Sequence, residues 1–471
     1  MKKICTILLA LCCLLSILPF GVFATEVSEE APDRTVSSGC YSLDAGNTFL
    51  GNAKLTNNAV GVILYETQSQ TLMYTQDADV TTDPASLVKI MTGMIVAEKG
   101  TMTDAVTVTE EAISSIPKTA ATSKLLVGEV LTVEQLMHCM LVSSANDAAA
   151  VLAHYIAGSQ EAFVTMMNDR AAELGCTNTN FVNVHGLYHY EQYSTARDLA
   201  KILDAALKSE AFRNVFCTKM YTVPATNMSD VRYLSTGNYL MSYDDVIVYY
   251  DKRVIGGRTG ITETSHRNLA TLAQSGNMEL ICILLGATSE LDENGYSIKV
   301  FGGYNETSDI LSKGFNGLRL TMVTRENQAL DQQKVANGDC DVVLGPNSIV
   351  YAVLPSNLNL NDLRFQYAEE LALQAPIEKG DPIAFVDVWY ENICVAQTQL
   401  YAMNSVAVVE EQAEEQEETP KEDDRSVIWI TLIIAGAVVL AVLIFRGVSR
   451  NARRRYNSRS RNYRRDHRRS R

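Results

Sequence analysis

The chain has 471 residues, 47% of them hydrophobic, which is enough for two or three domains with cores of their own. Its net charge of −15 is distributed unevenly: residues 446–471 carry +11 and residues 1–24 carry +2, which leaves −28 on residues 25–445. Binding to phosphate groups requires a clustered basic surface, so we expect no nucleic acid as a partner of this acidic body.

The cysteine and histidine residues do not indicate a metal site. The ten cysteines are scattered without a Cys-x-x-Cys pair, and the segment from His185 to His189 lacks the glutamate of a zinc-binding His-Glu-x-x-His helix. We therefore expect neither a metal nor another cofactor. The pairing of the seven cysteines that follow residue 24 stays open.

The first 24 residues predict a secretory signal peptide. Two lysines and an apolar run over residues 4–18 precede Val22 and Ala24, the small residues required before a cleavage site. An uncleaved membrane anchor is disfavoured because the apolar run is short for a spanning helix. Residues 25–44 are polar and are expected to be disordered.

Residues 45–318 show strand and helix patterns that predict a mixed α and β domain. Residues 60–74 indicate two strands around a polar turn at residues 68–70. Strand patterns return late in this region, so early and late strands could share one sheet. The predicted helices are 86–99, 133–140, 147–156, 160–174 and 195–208, and the later predicted strands are 246–250, 268–273 and 279–285.

Ser86 and Lys89 stand at the start of the first predicted helix, in the stretch PASLVKIMT. A spacing of three residues places both side chains on one face of a helix. A lysine whose pKa is lowered by apolar surroundings can act as the base that a serine nucleophile requires. Alone this pair is weak evidence, because a helix start with a lysine that extends to solvent has the same pattern.

Two further polar motifs follow at larger intervals. Ser144 and Asn146 stand at the front of a predicted helix of small residues, where a plain helix N-cap would have the same sequence. Residues 256–260, GGRTG, stand ahead of a predicted strand. There Arg258 supplies a cation for a carboxylate and Thr259 a hydroxyl donor, although a glycine-rich hairpin is the simpler interpretation of this motif alone.

The character of the sequence changes near residue 320. Short β-rich runs between turn residues predict a small all-β domain over residues 319–409. An acidic linker follows at 410–425, and an uncharged run at 426–445 is long enough to span a bilayer. Twelve arginines in residues 446–471 predict a single-pass cell-membrane protein with a cytoplasmic tail and an extracellular body. Nucleic-acid binding by the tail is the alternative interpretation.

In this order and at these intervals, the Ser-x-x-Lys, Ser-x-Asn and basic-Thr-Gly motifs resemble those of the penicillin-recognising serine enzymes. Within residues 50–409, VGEVLTVEQLMHCMLVSSANDAAAVLA and QAPIEKGDPI are similar to blocks of the D-alanyl-D-alanine carboxypeptidases, in the low-molecular-mass penicillin-binding protein family. The resemblance implies an α+β fold. A penicillin-recognising serine transpeptidase/β-lactamase-like domain, with a sheet flanked by helices, would precede a small all-β domain and one C-terminal transmembrane helix.

The resemblance also implies an activity. The protein would remove the terminal D-alanine from stem pentapeptides during peptidoglycan biosynthesis, and β-lactam antibiotics would acylate it. Ser86 would be the nucleophile and Lys89 its base. Ser144 would pass a proton toward the leaving amine, and Asn146 would orient Lys89 and bind the substrate backbone.

Substrate binding is implied for Arg258, Thr259, Gly260 and Ile261. The first two would hold the terminal carboxylate, and the backbone N–H groups of Ser86 and Ile261 would form the oxyanion hole. The family usually has lysine at position 258, and arginine keeps the charge but differs in shape and hydration. A catalytically weak or inactive wall-binding scaffold is therefore the main alternative, and a transpeptidase or a β-lactamase is a further one.

Overall fold

A computed structural model of the chain describes residues 43, 49–51, 53–242, 247–294, 298–391, 393–409 and 429–446. The predictions for the signal peptide, the acidic linker and the tail beyond Arg446 lie outside these residues, as does nearly all of the polar segment at residues 25–44. Residues 1–409 and residues 410–471 belong to separate units.

Strands and helices alternate in the first part of the chain, and strands dominate the second. The helices in chain order are α1 (Val88–Lys99), α2 (Glu110–Ile113), α3 (Val133–Leu141), α4 (Asn146–Ala157), α5 (Gln160–Glu173), α6 (Ala196–Leu207), α7 (Glu210–Phe216), α8 (Tyr304–Phe315) and α9 (Trp429–Arg446). The strands are β1 (Gly61–Glu66), β2 (Thr71–Gln76), β3 (Ala105–Thr107), β4 (Val130–Thr132), β5 (Met220–Val223), β6 (Arg232–Ser235), β7 (Val254–Thr262), β8 (His266–Ser275), β9 (Met278–Ala287), β10 (Glu290–Leu291), β11 (Ile298–Val300), β12 (Leu318–Thr324), β13 (Asp331–Gln333), β14 (Val342–Pro346), β15 (Val350–Pro355), β16 (Leu363–Tyr367), β17 (Pro382–Tyr390) and β18 (Ile393–Ala402).

A five-stranded antiparallel sheet with the order β2-β1-β9-β8-β7 lies at the centre of the first part. Successive side chains of a strand point to opposite faces. Ile63 and Ile281 accordingly pack into a core on one face, and Leu64 and Leu280 into a core on the other. Because both faces are covered, the inner strands β1 and β9 are almost continuously apolar. The prediction that early and late strands share one sheet is confirmed.

Helix α1 runs through the larger of these two cores. Every residue from Val88 to Val96 is buried, so most of the helix has no solvent-facing side. Polar groups in such a helix must find partners inside the protein. The helix ends at Gly100, as predicted, and its predicted start is a 3-10 turn at Ala85–Leu87.

Serine and threonine side chains cap several helices. Thr132 and Gln135 form a capping box at α3, and Ser159 and Thr195 accept backbone N–H groups at α5 and α6. Such caps satisfy donors that the first helical turn leaves without partners. The other four predicted helices are confirmed, with ends that differ by at most one residue.

The predicted strand at residues 246–250 is wrong. Ile247–Tyr249 form a 3-10 turn instead. Tyr249 stacks on Tyr239 and packs against Tyr304, so an aromatic cluster determines the local backbone. Tertiary packing here overrides the strand propensity of the sequence.

The GGRTG motif precedes the predicted strand at residues 268–273, which is β8, but the motif also lies within a strand of its own, β7, that was not predicted. Helix α8 was not predicted at all. Its sequence, YNETSDILSKGF, contains few apolar residues. Tyr304, Ile310 and Leu311 nevertheless pack on the second face of the central sheet.

The second part of the chain is built from strands, as predicted. Strands β12 and β15 pair with each other, and a five-stranded sheet has the order β13-β14-β18-β17-β16. Two small cores support them, one around Leu344 and one around Val388. Cys394 in β18 is disulfide-bonded.

Helix α9 is exposed along its length and overlaps the predicted span at 426–445. By length and composition it is the helix that could cross a membrane within the part of the chain that the structure describes. It is consistent with a membrane anchor.

Candidate active site

Ser86 lies in the 3-10 turn that leads into α1, and Lys89 lies in the first turn of α1. Lys89 Nζ donates a hydrogen bond to Ser86 Oγ at 3.2 Å. The preceding residue, Ala85, has a φ angle of 48°, a left-handed conformation that costs free energy for a residue other than glycine. Its carbonyl oxygen packs so closely on Gly186 that a Cβ atom there would lie 2.0 Å from it. The surrounding chain therefore holds the serine in a strained turn.

The Lys89 side chain is fully buried and does not extend to solvent. Besides Ser86, its amine donates to Asn146 Oδ1 at 2.7 Å and to the carbonyl oxygen of His185. A neutral amine has two N–H groups and one lone pair. Lys89 can therefore keep its bonds to Asn146 and His185 and direct its lone pair at the Ser86 hydroxyl.

The surroundings of Lys89 favour this neutral form. Burial, with the nearby positive charge of Arg258, lowers the pKa of Lys89 well below its ordinary value, and the charge of Asp147 acts in the opposite direction. Desolvation disfavours an ammonium ion because water no longer stabilises its charge. The apolar residues around Lys89 thus lower its pKa and favour the neutral amine that can act as a base.

Ser144 and Asn146 lie at the start of α4 and reach the same pair of side chains. Ser144 has a φ angle of 65°, and its Oγ donates to Ser86 Oγ at 3.2 Å. Asn146 is buried, and its backbone N–H donates to the carbonyl oxygen of Ala121 at 2.9 Å. The structure thus brings together the four residues that the sequence placed in two motifs.

Arg258 is 4% exposed and lies beside these residues. Its Nη1 donates to the carbonyl oxygen of Leu141 at 2.7 Å, and its Nη2 donates to Ser144 Oγ. Its buried Nε has no hydrogen-bond partner among the described residues. Burial lowers the pKa of Arg258 to about 10, which leaves it a cation at neutral pH. A buried cation with neutral partners is suited to bind an anion.

Thr259, Gly260 and Ile261 lie on β7, the edge strand of the central sheet next to Ser86. A Cβ atom at Gly260 would lie 2.9 Å from the backbone nitrogen of Ser86, so glycine permits this close approach. Thr259 is half-buried and Ile261 is 59% exposed. An edge strand offers backbone donors and acceptors to an extended peptide.

Sequence reasoning missed two contributors to this site. His185 takes part through its backbone carbonyl, which no residue type can signal. Asp147 accepts the backbone N–H groups of Ser123 and Leu125, both at 3.0 Å, and so fastens the preceding loop to the start of α4. The contacts of Asp147 could have been suspected from the sequence, because its carboxylate directly follows Asn146 in the motif.

Comparisons with known proteins cover both parts of the described chain. Residues 50–289 match the family described as D-alanyl-D-alanine carboxypeptidase, peptidase S11. Residues 319–408 match the family described as the C-terminal domain of penicillin-binding protein 5. The first match contains every residue of the candidate site.

Individual relatives agree with these matches. The chain is 31% identical to D-alanyl-D-alanine carboxypeptidase DacC of Escherichia coli, over 73% of this chain and 83% of the relative. It is 29% identical to DacA of the same organism, over 74% and 84%. The solved structure of penicillin-binding protein 5 from Haemophilus influenzae has a TM-score of 0.64 at 26% identity, and the match covers 76% of this chain and all of that one. The chain therefore belongs to the D-alanyl-D-alanine carboxypeptidase family.

Proposed function

We propose that this serine peptidase removes the terminal D-alanine of peptidoglycan stem pentapeptides through an acyl-enzyme on Ser86, and that β-lactams acylate the same serine. The main support is the 3.2 Å contact between Ser86 Oγ and the fully buried amine of Lys89. A serine hydroxyl becomes an effective nucleophile when a base of lowered pKa lies within hydrogen-bond reach.

Acylation begins with Lys89 in its neutral form. Lys89 takes the proton of the Ser86 hydroxyl as Ser86 Oγ attacks the carbonyl carbon of the penultimate D-alanine. The backbone N–H groups of Ser86 and Ile261 bind the oxygen on which negative charge develops. Donors fixed in this way lower the barrier by about 3 kcal/mol each. Asn146 holds the lysine amine in position through its 2.7 Å contact.

The leaving group then requires a proton. Ser144 Oγ lies 3.2 Å from Ser86 Oγ, which suits it to pass the proton held by Lys89 to the departing amine of D-alanine. The peptide bond breaks and Ser86 retains the acyl group as an ester. Water hydrolyses this ester, which releases the shortened stem peptide and restores the Ser86 hydroxyl.

Arg258 and Thr259 are proposed to hold the terminal carboxylate of the substrate. The two hydrogen bonds of Arg258 end on neutral oxygen atoms, so its charge is available to an incoming anion. A carboxylate that binds there places the scissile peptide bond near Ser86. Recognition of a free C-terminus makes the enzyme a carboxypeptidase.

A non-catalytic wall-binding protein is the alternative that Arg258 raises. Such a protein would gain nothing from a buried lysine, although burial of an amine costs free energy. The hydrogen bonds among Ser86, Lys89 and Asn146 therefore favour catalysis.

We also propose that α9 is a single-pass anchor with the peptidase outside the cell and the arginine-rich tail in the cytoplasm. The support is the apolar length of α9, the acidic body before it and the twelve arginines of residues 446–471. Protease added to intact cells should digest the body and spare an epitope fused after Arg471. Digestion of that epitope in intact cells would contradict this topology.

Covalent labelling tests the catalytic proposal. The full chain, purified in detergent, is incubated with a labelled penicillin and digested for mass spectrometry. We expect one adduct per molecule, located on Ser86, and release of D-alanine from a pentapeptide. Ser86→Ala is the control and should form no adduct. A folded parent protein that stays unlabelled at saturating penicillin would refute the proposal.

A further inference from the structure

Asp83 joins two segments that are far apart in sequence. One carboxylate oxygen accepts the backbone N–H of Ala85 at 2.9 Å. The other accepts the hydroxyl of Thr262, at the end of β7, at 2.7 Å and that of Thr264, in the following turn, at 3.3 Å. The carbonyl oxygen of Asp83 also accepts a hydrogen bond from Asn268 on β8 at 2.9 Å. One residue thus connects the turn that contains Ser86 to the hairpin at the edge of the sheet.

In the β7–β8 hairpin, the backbone N–H of Ile261 points toward the turn that contains Ser86. Thr262 N–H donates to Ser265 Oγ at 3.1 Å, within the turn between β7 and β8. Neighbouring N–H groups of a strand point to opposite sides in the plane of the sheet, so Ile261 N–H points away from β8. A Cβ atom at Gly260 would lie 2.9 Å from Ser86 N. The N–H groups of Ser86 and Ile261 therefore border one small volume.

The serine turn requires an external restraint. Ala85 has a φ angle of 48°, a conformation that costs free energy and persists only where the surroundings hold it. Its N–H bond to Asp83 and the contact of its carbonyl with Gly186 supply that restraint. Without the Asp83 carboxylate, the turn would lose both a hydrogen bond and its connection to β7.

We propose that Asp83 is a positioning residue that sets the distance between the oxyanion-binding N–H groups of Ser86 and Ile261. The inference rests on the proposed acyl-enzyme at Ser86. Asp83 acts through the backbone and touches none of the reacting atoms. Its effect therefore falls on the step in which the carbonyl oxygen gains negative charge, and little of it falls on binding of the uncharged ground state.

Asp83→Ala in the full chain tests this separation. At saturating penicillin we expect the acylation rate constant to fall by about tenfold to hundredfold, the size of effect that a small misplacement of catalytic groups produces. We expect the KM for a pentapeptide to change by less than about threefold, since ground-state binding is retained.

A boronic acid probe reports on the same donors without turnover. An acylated alanine boronic acid forms a bond from boron to the Ser86 oxygen, the hydroxyl proton passes to Lys89, and the boron becomes tetrahedral and anionic. One boronate oxygen then occupies the position of the oxyanion. We expect its affinity for Asp83→Ala to fall by about the same factor as the acylation rate constant.

Matched variants distinguish the loss of the Asp83 hydrogen bonds from a nonspecific disturbance of the structure. In Asp83→Asn the amide can still accept from Ala85 N–H and donate to Thr262 Oγ1, so most of the parent rate should return. The double variant Thr262→Val/Thr264→Val removes both hydroxyls at the other end of the connection. Combined with Asp83→Ala, it should slow acylation no further than the slower of the two variants alone, because both act through the same carboxylate. Asp381→Ala, which removes an acceptor of the Glu378 N–H at 2.8 Å in the β domain, should acylate at the parent rate.

The outcomes are distinguishable. Complete acylation at long times shows that a variant is folded, so its rate constant can be compared with that of the parent. The positioning role would be overturned if Asp83→Ala had the acylation rate and the boronate affinity of the parent. It would also be overturned if the variant had a raised KM at an unchanged acylation rate. If Asp83→Ala does not fold, a parent-like rate in Thr262→Val/Thr264→Val would overturn it. A parent protein that forms no adduct on Ser86 would refute the acyl-enzyme itself.

Discussion

The central-sheet region and the β domain differ in where their charged groups lie. Lys89, Asp147 and Arg258 are buried near the central sheet, whereas the buried polar residues described in 318–409 are two threonines, Thr324 and Thr398. Burial of a charge costs free energy unless partners compensate it. The β domain thus depends on apolar packing, and the central-sheet region keeps charged groups in surroundings that alter their chemistry.

Within the central-sheet region, the buried charged groups differ in the partners that they contact. Glu129 is fully buried and forms an ion pair with Arg232 at 2.7 Å. The hydrogen bonds of Lys89 and Arg258 end instead on neutral oxygen atoms. The positive charge of Arg258 therefore disfavours a second charge on Lys89, which suits a neutral base beside an anion-binding group.

Replacing Lys89 should have the largest effect of the substitutions considered for the two regions, and the effect should fall on the acylation rate. Lys89→Met keeps the length of the apolar part of the side chain and removes the amine, so we expect acylation to slow by roughly 10²–10⁴-fold. Rate measurements with labelled penicillin, together with thermal unfolding as a check on folding, test this. Acylation within about threefold of the parent rate would show that Lys89 is not the base.

The pH dependence sharpens the role of Lys89. Its pKa lies well below the ordinary 10.5, so the active neutral form persists to lower pH than in an exposed lysine. Acylation should therefore rise with pH through this lowered pKa. Between the folded and unfolded pKa values the unfolded chain binds the extra proton, so stability rises with pH there. Lys89→Met should lose both dependences, and a rise of similar size in the variant would contradict this origin.

A core substitution in the β domain should act on stability and not on chemistry. Leu344 is fully buried in one of the two small cores. Leu344→Ala should lower the free energy of unfolding by about 2–5 kcal/mol through loss of contacts and a residual cavity. Below the unfolding transition, its acylation rate should equal that of the parent. A slowed rate in the folded variant would mean that this core also supports the active site.

Substitution of Arg258 should have the smallest of these effects. Arg258→Ala should weaken binding of a peptide with a free C-terminal carboxylate by about 1.5–3 kcal/mol, the contribution of a hydrogen bond to a charged group. Arg258→Lys should retain acylation because it keeps the charge. Inhibition constants for peptides ending in a carboxylate or an amide measure the difference. Undiminished preference for the carboxylate in Arg258→Ala would refute the proposed clamp.

The Arg258 charge also enters the pH profile. Because it lowers the pKa of Lys89, Arg258→Ala should move the acid limb of acylation to higher pH. Arg258→Lys is the matched control and should leave the limb near its parent position. An unshifted limb in Arg258→Ala would show that the charge of Arg258 does not contribute to the lowered pKa of Lys89.

Local patterns in the sequence predicted the helices well and some of the strands less well. Helix α1 follows from its apolar run and terminal glycine, and α3 from the helical spacing of its apolar residues. The motif at 256–260 was not assigned to a strand of its own because β7 is defined by pairing with β8, and pairing is not a local property. The turn at Ile247–Tyr249 was missed for the same reason, since distant aromatic residues determine it.

The sequence by itself determined the family, the order of the polar motifs and the residue types available for chemistry. The family resemblance already implied that Asn146 orients Lys89, and the structure places the two in contact across 57 residues. Only the tertiary structure decided that a carbonyl of His185, 96 residues from Lys89, also encloses the amine. It also decided that Asp83 meets Thr262 across 179 residues. The physical reason is that a pKa and a hydrogen bond depend on what surrounds a group in space. Residues brought together by packing leave no periodic signal in the chain.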